Sequence, residues 1–430
     1  MLFLSKAANF KSALGLGVLK VGTLPLTILL SIVLARVLGP EDYGRYAFAL
    51  SLATVLAIPA GQGVVALVLR ETAQAALAGD FSLMAGVRKR AHHFLILFTA
   101  LVWSAGLVYS FLILDEAQTA ERQSLYVAIL LFPVLSLIAI QAGVLQGLHH
   151  AFASQIGQLA LRPGIALFLV FLALLLVPAF SLQMAYVTQI MAALLALAGS
   201  FLIYRYLAPT ELSNVVPQYE DRKWRSAILP FALIAFANTF TAEIGILILG
   251  AYGNEVNAGA LRVATSGAQL LSFPLFINNM ILSPQAAQMF KAGQIEALAL
   301  RSRKFARLTF LVSAFAGVPL ILFATPILAV TFGPEYVSVA TRPLQILALG
   351  HLVNVSVGPA GMLLSMSGHE EFALRGQVIT LLVVVILAII LAPLYGATGA
   401  AIAVASGTIV GRFVLVRLCI RILKFRPTVI

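Results

Sequence analysis

The sequence predicts an all-α integral membrane protein: about twelve transmembrane helices in two pseudo-symmetric six-helix lobes around a central cavity. Three observations predict it. The chain is 61% hydrophobic and only 10% charged, against about 25% charged residues in soluble domains. Its apolar runs repeatedly exceed the roughly 20 residues that cross a bilayer. Finally, features of the first half return in the second. The turn Gly39-Pro40-Glu41 is echoed by Gly253-Asn254-Glu255, and His149, Phe152 and Ala153 by His369, Phe372 and Ala373. Two matches at nearly one offset suggest two similar halves.

The spans follow in order. Spans 1 and 2, at 12–38 and 43–69, form a helical hairpin about the short polar turn GPED. Lys6 and Lys11 precede an apolar run too long for a signal-peptide core and without a cleavage site, so the first helix is expected to be retained. Spans 3 to 6, at 91–114, 123–147, 155–178 and 182–206, complete a first lobe of residues 1–206. The connection 207–224 is polar, Pro-bearing and mixed in charge, the expected joint between halves. Spans 7 to 12, at 226–250, 259–290, 305–331, 339–367, 372–392 and 396–420, make a second lobe, 225–430. Spans 8 and 10 are long and carry Pro274 and Pro359, which predicts kinks or extensions beyond the bilayer.

Charge sets the orientation. Basic clusters fall on alternate loops, as at Arg88, Lys89 and Arg90, or at Arg301, Arg303, Lys304 and Arg307. The intervening turns carry acids instead: Glu41 and Asp42, Asp115, Glu116 and Glu121, Glu255, Glu335. The positive-inside bias then places both termini in the cytoplasm of a multi-pass protein. A nucleic-acid partner is excluded despite the net charge of +12, because the cations sit in short loops between apolar spans. Cys419 is the only cysteine, so no intrachain disulfide can form. The loop histidines lack metal-ligand spacing, and Walker A, GxSxG and HExxH patterns are absent. No cofactor, metal or catalytic residue is therefore expected.

Charges inside spans are functional candidates, since each costs at least about 2.5 kcal/mol at bilayer depth. Lys20 lies roughly 12 Å into helix 1, with Thr23, Thr27 and Ser31 on its face. Such a stripe either lines a water-filled cavity or is a snorkelling lysine above hydroxyls bonded to their own helix. Arg36 points about 160° away from Lys20 and is expected to pair with Glu41 or Asp42 at the membrane boundary. Span 5 repeats the pattern with Gln155, Gln158 and Arg162, the last preceding Pro163, where the backbone ladder can open. Span 8 does so with Arg262, Ser266 and Gln269. Together these stripes would suit a pyrophosphate or an acidic sugar. Glu243, with Thr239 one turn earlier, is the one acid deep in a span. It either carries a coupling H+ or Na+, or balances a neighbouring arginine.

The segment LARVLGPEDYGRYAFALSL resembles the opening hairpin of bacterial polysaccharide-export proteins, the lipid-linked oligosaccharide flippases of the superfamily that also holds MATE exporters. GNEVNAGALRVA, FGPEYVSVATRPLQILAL, SMSGHEEFALRGQVI and LAPLYGATGAAIAVASG are similar to that family in the same order, so the resemblance covers the whole chain. It implies a two-lobe transporter of the bacterial inner membrane, moving a polyprenyl-pyrophosphate-linked oligosaccharide by alternating access. It also implies a role for an acidic or amide residue near Glu243. Membrane lipids and other glycan-assembly proteins are the implied partners. The rivals are a MATE-type exporter, which would favour an acidic cavity, and a membrane-embedded glycan-assembly enzyme, which the short outer loops disfavour.

Overall fold

The computed structural model describes residues 2–112, 118–213 and 215–428. Asp115 and Glu116 lie outside the described residues, as do the side chains of Lys6, Lys11, Lys223 and Arg225. The described residues are helical almost throughout and contain no strand. This is the outcome bilayer physics requires, because a helix satisfies its backbone groups internally where no water is available.

Among the described residues, eight helices are long and apolar enough to cross a membrane. Two of them each hold two spans, because a glycine at positive φ turns the chain within: Gly39 at φ 70° and Gly396 at φ 58°. A pair bent by 42°, Pro334–Ser356 with Ala360–Met366, and the shorter apolar helix Ala235–Ala251 supply two more. The twelve expected spans are all present. The expected kinks fall where proline interrupts the ladder: a 3-10 turn, Leu270–Ser272, precedes Pro274, and the bend in span 10 contains Gly358 and Pro359. Asn257 fixes the Gly396 turn by accepting the Ala397 N–H at 2.9 Å, while its own amide donates to Asn254.

Duplication is written into the backbone more plainly than into the side chains. Gly79 and Gly293, at φ 70° and 72°, close the turns after spans 2 and 8. The next residue of each returns an N–H five residues back, Asp80 to Ala75 and Gln294 to Met289, both at 2.9 Å. His150 and His369 do the same after spans 4 and 10, reaching Leu145 and Leu364. Each is a helix C-terminus closed by a left-handed residue.

Contacts divide the chain into two compact units, 1–30 with 48–239, and 31–47 with 240–430. They depart from the expected lobes at the tip of the first hairpin, which packs in the second unit, and at 225–239, which packs in the first. In the first unit, spans 2, 3, 4 and 6 close on Val64, Val87, Ile140, Leu145 and Tyr204, with Trp224 only 1% exposed. The connection is no loose joint. Gln218 donates to Ser82, and Arg90 holds both the Asp221 carboxylate and the Tyr219 ring. In the second unit, spans 8, 9, 10 and 12 bury Ala286, Leu298, Leu364, Leu415 and Cys419. Outward-facing apolar rows such as Leu308, Leu311, Phe315 and Leu322 stay exposed, as faces toward hydrocarbon do; in water they would be a liability.

Candidate functional site

The first unit holds a polar cavity of about 250 Å³ between two distorted helices. Span 2 contributes Thr54, Ala57 and Gly61, span 4 contributes Leu135, Ser136, Ile138 and Ala139, and span 5 contributes Gln158, Leu159 and Arg162. Both flanking helices widen into a π turn at this level, Ile58–Gln62 and Gly157–Leu161. Each π turn adjoins a proline, Pro59 or Pro163, which interrupts the regular ladder, and Gly63 and Arg162 donate five residues back, to Ile58 and Gly157. Those turns push Gln158 and Arg162 onto the cavity wall. The Ser136 hydroxyl is buried there with no hydrogen-bond partner among the described residues. A wall with a guanidinium, an amide and two hydroxyls in an apolar bundle can hold a hydrated or anionic group.

Lys20, Thr23 and Thr27 do not line this cavity. Lys20 is half-buried, Thr23 buried and Thr27 exposed. Both threonine hydroxyls donate to their own helix, Thr23 to Lys20 O at 3.3 Å and Thr27 to Leu24 O at 2.9 Å. The stripe parts at Ser31, which belongs to the second unit and bonds Tyr43 at 2.7 Å and Ser266 at 3.3 Å.

A second polar group lies within the second unit. Glu243 of span 7 and Arg262 of span 8 form an ion pair at 3.4 Å, their side chains 14% and 22% exposed. The Ser266 hydroxyl, one turn on, donates to Arg262 O at 2.9 Å. Tyr43 stacks on Tyr46 and meets Tyr336 edge-on, with centroids 6.1 and 6.4 Å apart. Of the two roles open to Glu243, the geometry supplies the arginine. Gln269 ends the helical segment of span 8 and is exposed.

Arg36 corrects an expectation. It does not pair with Glu41 or Asp42, which belong to Arg45 at 2.7 and 3.0 Å. Instead its guanidinium donates to Thr331 O at 2.6 Å and to Val330 O, closing the C-terminus of the helix Ala324–Thr331. Free carbonyls at a helix end attract a cation. Tyr336 adds a bond to Ala35 O at 3.1 Å. The hairpin tip is thus clasped to the turn between spans 9 and 10. The sequence signal for this was the near-copy of GPEDY at 39–43 by GPEY at 333–336.

The tip also crosses span 8 without side chains between. A Cβ on Gly44 would overlap the Glu255 carbonyl, and one on Gly259 would overlap the Pro40 carbonyl. Gly44 against Glu255 and Gly259 against Pro40 are two close backbone approaches of one crossing. Arg45 reaches Glu255 across it at 3.8 Å. Among the described residues no three His, Cys, Asp or Glu side chains gather as metal ligands.

Comparison with known proteins follows the same lines. Residues 10–290 match the family described as polysaccharide biosynthesis protein. No curated protein matches by sequence. Among solved structures, a multidrug resistance MATE family transporter of the MOP superfamily in an inward-facing conformation superposes with TM-score 0.73 at 14% identity, over 95% of this chain and 98% of that one. The lipid II flippase MurJ, inward closed, superposes with TM-score 0.66 at 14% identity, over 97% and 87%. A MOP superfamily transporter from Pyrococcus furiosus, described as having a binding pocket of reverse polarity, gives 0.65 at 16% identity, over 97% and 96%.

Proposed function

Because the chain belongs to the polysaccharide biosynthesis protein family, we propose that it flips a polyprenyl-pyrophosphate-linked oligosaccharide across the bacterial cytoplasmic membrane. Alternating access between lobes 1–206 and 225–430 would expose the glycan to each side in turn while its lipid tail stays in the bilayer. The observation that carries this is the cavity wall bearing Gln158 and Arg162. A guanidinium there offers a fork of donors to pyrophosphate or to an acidic sugar, and low dielectric strengthens the attraction. Lys20, Thr23 and Thr27 on helix 1, and Arg262 and Gln269 in the second lobe, are assigned as further substrate-binding residues outside the Arg162 cavity. H+ or Na+ would act through Glu243, because neutralising that carboxylate releases Arg262 to the substrate. Other glycan-assembly proteins would supply the loaded lipid. A MATE-type exporter is the alternative the fold also fits, but export of cationic compounds calls for an acidic wall, and Arg162 makes this one basic.

Arg162→Ala and Lys20→Ala test the assignment. A hydrogen bond to a charged group contributes about 1.5–3 kcal/mol, so each variant is expected to lower surface glycan roughly tenfold or more at normal membrane abundance. Undiminished export by the double variant refutes the cationic lining. Topology is tested separately by cysteine labelling, which the single buried Cys419 leaves uncluttered. Residues 70–90, 207–224 and 291–304 are expected to react only from the cytoplasmic side, and one of them labelled from outside would overturn the orientation.

A further inference from the structure

Spans 3, 4 and 6 of the first unit enclose a second, smaller pocket of about 40 Å³, which shares no residue with the Arg162 cavity. Arg88 and His92 of the span 3 helix line it, with Gln141 of span 4 and Phe201 and Tyr204 of span 6. Arg88 lies seven residues from the helix start at Phe81, Gln141 six before Gly147, and Tyr204 three before Leu207. All three are thus within about 11 Å of a helix end, on the side of the basic loop 70–90. Phosphates and glycerol esters lie at that depth. The pocket meets a lipid-facing surface, since Phe201 is 50% exposed. From it, exposed Ile96 continues the His92 face by one turn, and exposed Leu130 continues the Gln141 face by three.

The polar groups on this wall are of two kinds. Arg88 donates from Nη1 to the Tyr204 hydroxyl and stacks over that ring at 5.4 Å. Among the described residues it enters no ion pair, so a fixed charge is left for a ligand. The other groups accept. Gln141 Oε1 is buried with no hydrogen-bond partner among the described residues. His92 Nδ1 donates to Arg88 O at 2.8 Å, which leaves Nε2 of the neutral ring an acceptor. The matching ligand carries one negative charge and a hydroxyl beside it. No carboxylate lines the pocket, which disfavours an ammonium headgroup. The volume takes a few waters or one phosphate, and is too small for an oligosaccharide. We propose that this pocket binds the headgroup of a phosphatidylglycerol-class lipid. Its phosphodiester sits on Arg88, its glycerol hydroxyl donates to Gln141 or His92, and an acyl chain follows the row toward Ile96 and Leu130. The site needs neither the flippase assignment nor a choice of membrane side.

The test is thermal unfolding of the full-length protein in phosphatidylcholine nanodiscs doped with phosphatidylglycerol, phosphatidylethanolamine or phosphatidic acid. Phosphatidylglycerol is expected to raise the melting temperature by a few degrees, phosphatidic acid by less and phosphatidylethanolamine not at all. Arg88→Gln is expected to lose the increment. Lys89→Gln removes an exposed charge outside the pocket and is expected to keep it. Equal increments in wild type and Arg88→Gln, or equal losses in Arg88→Gln and Lys89→Gln, would mean surface charge alone and overturn the site. Equal responses to phosphatidylglycerol and phosphatidic acid, or any to phosphatidylethanolamine, overturn the headgroup. The same rise with free glycerol 3-phosphate in undoped nanodiscs overturns the lipid in favour of a soluble phosphate. Where Arg88→Gln does not fold, Arg88→Lys and Gln141→Leu decide: a half-maximal phosphatidylglycerol fraction raised about tenfold supports the site, and an unchanged one removes it.

Discussion

Glu243→Gln is expected to lower the melting temperature and to disconnect flipping from the ion gradient. The amide keeps the shape of the side chain but leaves the Arg262 guanidinium, only 22% exposed, without its counter-charge. Breaking one side of such a pair costs about 3 kcal/mol, the lower end of the range for fully buried pairs. The further change Arg262→Gln removes the stranded charge, so the double variant is expected to regain most of the lost stability. Differential scanning of the four proteins gives the pairwise energy. A double variant as unstable as the sum of its parts would show that the pair is not what holds these helices. Reconstituted vesicles address coupling: in Glu243→Gln downhill exchange is expected to survive and gradient-driven flipping to fail. Normal driven transport by Glu243→Gln would remove the residue from coupling and leave it as a counter-ion.

Adding one methyl where the hairpin tip crosses span 8 has the next largest expected effect. Gly44→Ala and Gly259→Ala each place a Cβ on a backbone carbonyl of the facing helix, and a carbonyl in a helical first turn cannot swing aside. Overpacking of this kind costs about 1–3 kcal/mol. The clasp of residues 31–47 is expected to loosen, so a cysteine at Ser31 should react faster with a water-soluble thiol reagent in either alanine variant. The double variant is expected to cost less than the two single costs added, since one separation of the helices relieves both overlaps. Unchanged melting and unchanged labelling would show that the crossing bears no strain.

Hydropathy made the helices legible. The bilayer demands about 20 apolar residues per span, and this demand acts on each stretch of chain alone, so all twelve spans could be placed without a fold. Proline and glycine are legible for the same reason. Pro163 predicted an opened ladder, and the structure has a π turn directly before it; Gly39 predicted a turn, and it sits at φ 70°. The repeat was visible at two turns, and the backbone adds a third at Gly79 and Gly293, where side chains have diverged but the left-handed closure has not.

Pairing was not legible. Arg36 had two carboxylates within six residues, and local spacing favoured them. Its acceptors lie 294 and 295 residues away, because Arg45, on the same face as those carboxylates, takes them first. Helix phase put Gln158 and Arg162 on one face but could not say what that face meets; spans 2 and 4 supply the rest of the wall. Sequence by itself determined which segments enter the membrane, where they turn and that they are duplicated, because those depend on neighbours along the chain. Only the tertiary structure decided which charges are neutralised and by whom: that depends on which helix faces meet, and packing over the whole unit chooses among them.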